Sequence, residues 1–240
     1  KLSIKDGATI RGIVFDGASE VADAIRIDDT VTGAPVVISG CTVRNYTNRF
    51  VYVSLSGKIE SLTIDDCIFI GADNSTTNKA IYASSAHTQV ETLSVTNSTF
   101  LNFNTGSNYF FRINCGEELV LMPVVLIDHC TFYNCYDRRG VYLYNAGRST
   151  IKNCISAFSE RRDDTKSFTA YGDESIVKNV ISYNVDLYGS APKENIISKN
   201  PLFVDAENGN FQLYKDSPAV GAGDDGSDLG DPRWGVSTEN

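Results

Sequence analysis

Six side chains stand at the centre of six apolar triplets. They are Arg26 in Ile25-Arg26-Ile27, Tyr52 in Val51-Tyr52-Val53, Tyr82 in Ile81-Tyr82-Ala83, Arg112 in Phe111-Arg112-Ile113, Tyr142 in Val141-Tyr142-Leu143 and Thr169 in Phe168-Thr169-Ala170. Successive side chains of an extended strand point to opposite sides, so flanks that face a core turn the central residue to solvent. A tyrosine ring offers an apolar face to the C–H surface of a pyranose while its hydroxyl still bonds water or sugar. A guanidinium grips a carboxylate or sulfate through two parallel hydrogen bonds. Arg26, Tyr52, Tyr82, Arg112 and Tyr142, with Tyr144 beside them, therefore read as a face for a linear, acidic polysaccharide, flanked by Phe50, Phe110 and Tyr171.

A basic rim adjoins this file. Between residues 136 and 166 seven Lys and Arg stand against four Asp and Glu, in a chain of net charge −9. Arg139, Arg162 and Lys166 enter the strands of Tyr142 and Phe168 and are expected to line the groove, since a local positive field draws an anionic ligand. The bland reading is that these cations are neutralised internally, Arg162 by Asp163 or Asp164.

Two reactions are open to such a face. β-Elimination on a uronide needs a base and a group that neutralises the carboxylate, for which Arg112, Tyr142, Arg139 and Lys166 are the catalytic candidates. Hydrolysis needs two carboxylates across the bond; Asp163 and Asp164, adjacent in one loop, poorly suit that geometry. His87 and His129 belong to no metal motif. Asp224, Asp225, Asp228 and Asp231 could hold a calcium ion, although such residues more often form solvated turns. No other metal or cofactor is implied.

The acidic balance argues against a nucleic-acid partner. No stretch of 18 apolar residues is present to span a membrane. Lys1-Leu2-Ser3-Ile4-Lys5-Asp6 already reads as a strand rather than a signal peptide, which suggests a domain of a longer, multidomain chain.

The elements that must position these residues are set by a repeat. Ile10-Arg11-Gly12-Ile13-Val14-Phe15, Ile38-Ser39-Gly40-Cys41-Thr42-Val43, Ile64-Asp65-Asp66-Cys67-Ile68-Phe69, Val95-Thr96-Asn97-Ser98-Thr99-Phe100 and Ile127-Asp128-His129-Cys130-Thr131-Phe132 share one pattern. Ile151-Lys152-Asn153-Cys154 and Val177-Lys178-Asn179-Val180 continue it. The pattern is apolar, polar, turn residue, small apolar, unrestricted, apolar, at intervals of roughly 24 to 32 residues, the length of one solenoid coil. Gly and Asn tolerate the left-handed backbone of a tight bend. Cys41, Cys67, Cys130 and Cys154 then stack inward, reduced, in a file interrupted by Ser98. The file settles nothing about Cys115 and Cys135. The fold class is thus all-β: a right-handed parallel β-helix of about seven coils over residues 1–199. Residues 200–240 break the period and are expected to cap its open end.

The Asn-Cys/Ser-x-Phe coil motif resembles the pectate-lyase-like β-helix superfamily. Asn200-Pro201-Leu202-Phe203, Ser217-Pro218-Ala219-Val220 and Asp228-Leu229-Gly230 are similar to the ends of secreted Bacteroidetes β-helix domains of unknown function, several encoded beside glycan-degrading enzymes. The resemblance implies a bacterial protein, secreted or on the outer cell surface. Val125-Leu126-Ile127-Asp128-His129 resembles the Trp-Ile-Asp-His segment of pectate lyases, but it falls in register with ordinary bends of other coils. Neither the Arg and calcium-binding Asp pattern of those lyases nor the Asp motifs of polygalacturonases is evident. Two functions follow: a glycan-binding domain, or a polysaccharide lyase working at the same face.

Overall fold

The structure, a computed structural model, describes residues 1–72, 78–85, 90–103, 109–115, 123–144 and 147–238, with backbone alone at Ser85 and Cys115. His87 and the Cys115 side chain lie outside what is described. The chain is a parallel β-solenoid. One sheet stacks eight strands in the order Leu2–Ile4, Asp23–Ile27, Arg49–Val53, Lys79–Ser85, Phe111–Cys115, Val141–Tyr144, Lys166–Ala170 and Asp186–Tyr188. A second stack begins with Ala8–Arg11 and Val36–Ser39, and a third with Val14–Asp16 and Thr42–Arg44.

Seven similar coils were expected; about five have three separate strands, the last of them using Phe111–Cys115, Val124–Asp128 and Thr131–Tyr133. Beyond these, Arg148–Ala157 and Ile176–Tyr183 each run through the second and third stacks as one long strand. The left-handed corner persists inside them at Asn153 and Asn179, so the two stacks merge without losing register.

Every residue of the turn column has a positive φ, from Gly12 and Gly40 through Asp66, Asn97, His129, Asn153 and Asn179. The asparagine amides of this column reach back to the preceding coil. They bond side chains there: Asn97 Nδ2 donates to Asp65 Oδ1 at 2.9 Å and Asn153 Nδ2 to Asp128 Oδ1 at 3.0 Å. The polar residue before each bend thus supplies the acceptor. A second corner column, Asn45, Asn102, Asn134 and Asn184, is also left-handed; it lies two residues past each inward residue of the third strand.

The thiol file forms as expected. Cys41, Cys67, Cys130 and Cys154 are buried and free, as is Cys135. Each of the four file thiols donates to the carbonyl two residues back, at 3.3, 3.2, 3.4 and 2.9 Å. Ser98 makes the same bond at 2.6 Å, so a hydroxyl fits this column without an orphaned donor. Beside it Phe69, Phe100 and Phe132 stack at centroid spacings of 4.9 Å, one coil apart. Ile13, in the first coil, is 44% exposed because no coil lies beneath it.

Residues 200–238, expected to cap the open end, lie against the flank of the solenoid. The segment runs back along the outside of the third stack. Phe211, Leu213, Ala219 and Leu229 pack on Tyr133, Ile155, Ala157 and Ile181. Gly230 N donates to Asn153 O, Asp231 N to Thr131 Oγ1 and Trp234 Nε1 to Thr99 Oγ1, at 2.8, 2.9 and 2.9 Å. Arg233 reaches the Asp66 carboxylate. It is a strap over the β-branched outward residues of that stack: the hydroxyls of Thr99 and Thr131 bond it, and the apolar surface of Ile155 and Ile181 needs its cover.

Candidate functional site

Strand pairing puts Ser3, Arg26, Tyr52, Tyr82, Arg112, Tyr142, Thr169 and Tyr188 in one outward column of the first sheet. Three residues before each of Arg26 to Thr169, and two before Tyr188, stands a second column that the triplet pattern missed; two buried residues in succession, such as Phe50-Val51 and Phe110-Phe111, return it to the outer side. It contains Asp23, Arg49 and Lys79, mutually paired, then Tyr109, Arg139, Lys166 and Asp186. Its signal was a charged or aromatic residue three before each central residue, a position that strict alternation assigns to the inner side.

The two columns pack on each other. The Arg49 guanidinium lies 3.6 Å from the Tyr52 ring centroid and that of Arg26 5.1 Å from it. Arg112 sits 4.4 Å from the Tyr109 ring and donates to its hydroxyl, and Arg139 sits 4.8 Å from the Tyr142 ring. Tyr109, Tyr142 and Tyr144 stack nearly parallel at 5.7 and 5.8 Å. Cations over ring faces are attracted by the ring quadrupole.

This packing changes the expected groove. Tyr52 and Tyr142 were expected to face solvent, but they are only 8% and 5% exposed, because arginines and neighbouring rings cover them. The open rings are Tyr144, 40% exposed, and Tyr188, 56% exposed. Tyr171, half-buried, links them through edge contacts at 5.5 and 6.5 Å. A shallow hollow of about 310 Å³ lies beside Tyr171, Tyr188 and Lys193.

The basic rim is largely paired. Arg162 bonds Glu160 at 2.7 Å rather than Asp163 or Asp164, and also covers the Tyr136 ring. Lys166 and Arg161 share Asp186 at 3.3 and 2.9 Å. At the other end Arg26 pairs with Asp28 and Arg49 with Asp23. Arg112 and Arg139 make no ion pair among the described residues, and Arg112 Nε is buried without a hydrogen-bond partner. Positive charge unmatched by carboxylates is thus centred on these two.

Burial raises the Tyr109 and Tyr171 hydroxyls and lowers the Lys79 ammonium. A raised phenol is the reverse of what proton abstraction at neutral pH requires.

The acidic loop of the strap has partners of its own. Asp224, offered above as a calcium ligand, faces Lys152, Lys178 and Asn153 at 3.2, 3.0 and 2.8 Å, which hold its carboxyl well below the usual range. His129 Nδ1 lies 2.8 Å from Asp128 Oδ1, and Nε2 lies 2.7 Å from Ser227 Oγ. That order resembles a nucleophilic serine with its base, but Ser227 Oγ is also 2.5 Å from Asp225 Oδ1. The carboxylate is the better acceptor and takes the hydroxyl proton, so the imidazole donates at both nitrogens. The raised pKa of His129, caused first by the Asp128 bond, agrees. It clamps the strap.

Residues 1–105 match the family described as Domain of unknown function (DUF4957), and residues 125–234 match Domain of unknown function (DUF5123). Neither match covers half of the chain and neither description names an activity. No curated protein matches. The sheet stacks run on from one matched region to the other: Val95 pairs with Ile127 and Phe100 with Phe132. The two matched regions are halves of one stack.

Proposed function

We propose that this β-solenoid binds an acidic polysaccharide along the outer face of its first sheet, as a domain of a longer bacterial protein that is secreted or held on the outer cell surface. One observation carries the reading. Arg112 and Arg139 flank the stacked rings of Tyr109, Tyr142 and Tyr144 without carboxylate partners among the described residues, while the face's other arginines are neutralised. Next to this charged centre the rings of Tyr144, Tyr171 and Tyr188 stand open enough to meet sugar faces. The similarity to the pectate-lyase-like superfamily supports a glycan ligand.

Calorimetry with oligogalacturonate or a sulfated glycan tests it. Arg112→Ala should lose roughly 1.5–3 kcal/mol of affinity, as for a hydrogen bond to a charged group. Binding should weaken as salt rises, because exposed charges are screened. Tyr144→Ala should weaken binding while leaving the salt dependence in place. Equal affinity in wild type and both variants would move the site off this face. A rise in absorbance from unsaturated products would turn the reading to the lyase.

A further inference from the structure

Between the strap and the solenoid flank lies a pocket of about 540 Å³ that the Tyr/Arg face does not use. This volume is in the range of small-ligand sites, which are mostly apolar with a few placed polar groups. Its apolar wall includes Trp234, Phe211 and Ile155; its polar rim includes His129, Asp225 and Asp228. Phe211 meets Trp234 edge to face at 5.3 Å. Trp234 Nε1, the only polar atom of the indole, is committed to Thr99 Oγ1 at 2.9 Å. What the indole can offer a ligand is therefore carbon surface.

The rim carboxylates accept hydrogen bonds and donate none. Asp225 is more than half exposed, and its pKa lies below the usual value because the Ser227 hydroxyl and amide donate to it. Both His129 nitrogens are committed, to Asp128 and Ser227, so an aromatic wall beside these two carboxylates calls for an occupant with an apolar face and several donors, without negative charge.

We propose that this pocket binds a single neutral glycosyl unit, its C–H face against Trp234 and its hydroxyls donating to Asp225 and Asp228. The choice of a sugar rests on the polysaccharide reading above. The preference is opposite to that of the first-sheet face: a uronate carboxylate would meet the rim carboxylates and be repelled. A polymer with both neutral and acidic residues thus has two different contacts on one solenoid.

Trp234 is the sole tryptophan of the chain, so tryptophan emission reports on this pocket. The methyl glycosides of glucose, galactose and rhamnose would be titrated separately, with galacturonate as the anionic probe. A saturable shift of emission with at least one neutral glycoside, and none with galacturonate, is expected. Asp225→Asn keeps an oxygen for Ser227 and removes the charge, and should weaken that glycoside about five-fold, as the lost half of a charge-assisted bond implies. Trp234→Leu, followed by calorimetry and checked for folding by circular dichroism, should abolish binding of the glycoside. Silence with all three neutral probes, or equal response to galacturonate, overturns the proposal. Neither result bears on the first-sheet face, whose acidic ligand is measured by calorimetry and whose loss through Arg112→Ala leaves the emission titration unchanged.

Discussion

The solenoid shows two outer faces built by the same repeat and finished differently. The third stack turns Thr99, Thr131, Ile155 and Ile181 outward, and the strap covers them with Phe211, Leu213, Ala219 and Leu229. The first sheet turns Arg49, Lys79, Tyr82, Arg112 and Arg139 outward, and there rings and cations cover one another. An outward column of β-branched Ile and Thr asks for a protein cover that buries the methyls and bonds the hydroxyls. One that mixes Tyr with Arg keeps itself partly dry and still leaves charge and ring surface for another molecule. Outward columns carry the functional message of the repeat, and inward ones carry the fold.

The sharpest way to break this contrast is to truncate one aromatic residue on each face. Phe211 is buried among the strap contacts, so Phe211→Ala should cost about 3–5 kcal/mol in denaturant titration, the range for emptying an aromatic site. Tyr188 stands open on the first sheet, and Tyr188→Ala should change stability by no more than about 0.5 kcal/mol, as for surface sites. Similar losses at both would mean that the first-sheet rings are structural cover too.

A finer comparison uses two corners of like backbone. Asn153 and Asn45 have φ of 52° and 58°, so leucine strains both alike. Asn45 makes one exposed bond to Asp16. Asn153 is buried, bridges Asp128 and Asp224, and accepts from the Asp224 amide at 3.1 Å. Asn153→Leu should therefore exceed Asn45→Leu by about 1–3 kcal/mol, the cost of leaving buried groups unpaired. Urea midpoints that move equally would show that the strap does not depend on this corner.

Much of this was legible in the sequence, for a reason that these corners show. The left-handed bend admits few residue types, so Gly, Asn and Asp mark it coil after coil, and the thiol file follows at a fixed offset. The outward Tyr/Arg column was legible because strand alternation is strict. Its exposure was not, since Arg26 over Tyr52 and Tyr109 over Tyr142 are contacts between coils. The path of the strap was hidden in the position read as unrestricted. Val14, Thr42, Ile68, Thr99, Thr131, Ile155 and Ile181 occupy it, and all are β-branched. In Cys154-Ile155 the inward and outward apolar residues are adjacent, which blurs the alternation that would have exposed the column.

The smallest expected effect is one of pH, and it belongs to the strap alone. Asp128, Asp225 and Lys152 surround His129, and its pKa is raised, chiefly by the Asp128 bond. A raised imidazole contributes stability that is fully present below the ordinary value of about 6.5 and is lost as pH rises through the folded value. Asp224 is shifted the other way by Asn153, Lys178 and Lys152, so its contribution is present above about 3.9 and is lost as pH falls through the lower folded value. Asp231, raised by burial, loses stability as pH rises from the ordinary carboxylate value through its folded one. The strap should hold best between roughly pH 4 and 6.5 and loosen as the imidazole deprotonates. His129→Asn isolates that step, because asparagine already occupies the same corner at Asn97 and Asn153 with a positive φ and introduces no new strain. Wild type should lose stability to urea between pH 5.5 and 8 more steeply than His129→Asn. Parallel slopes in the two proteins would assign the imidazole no part in holding the strap, and would leave Asp224 and its lysines as its charged fastening beside the Arg233–Asp66 pair.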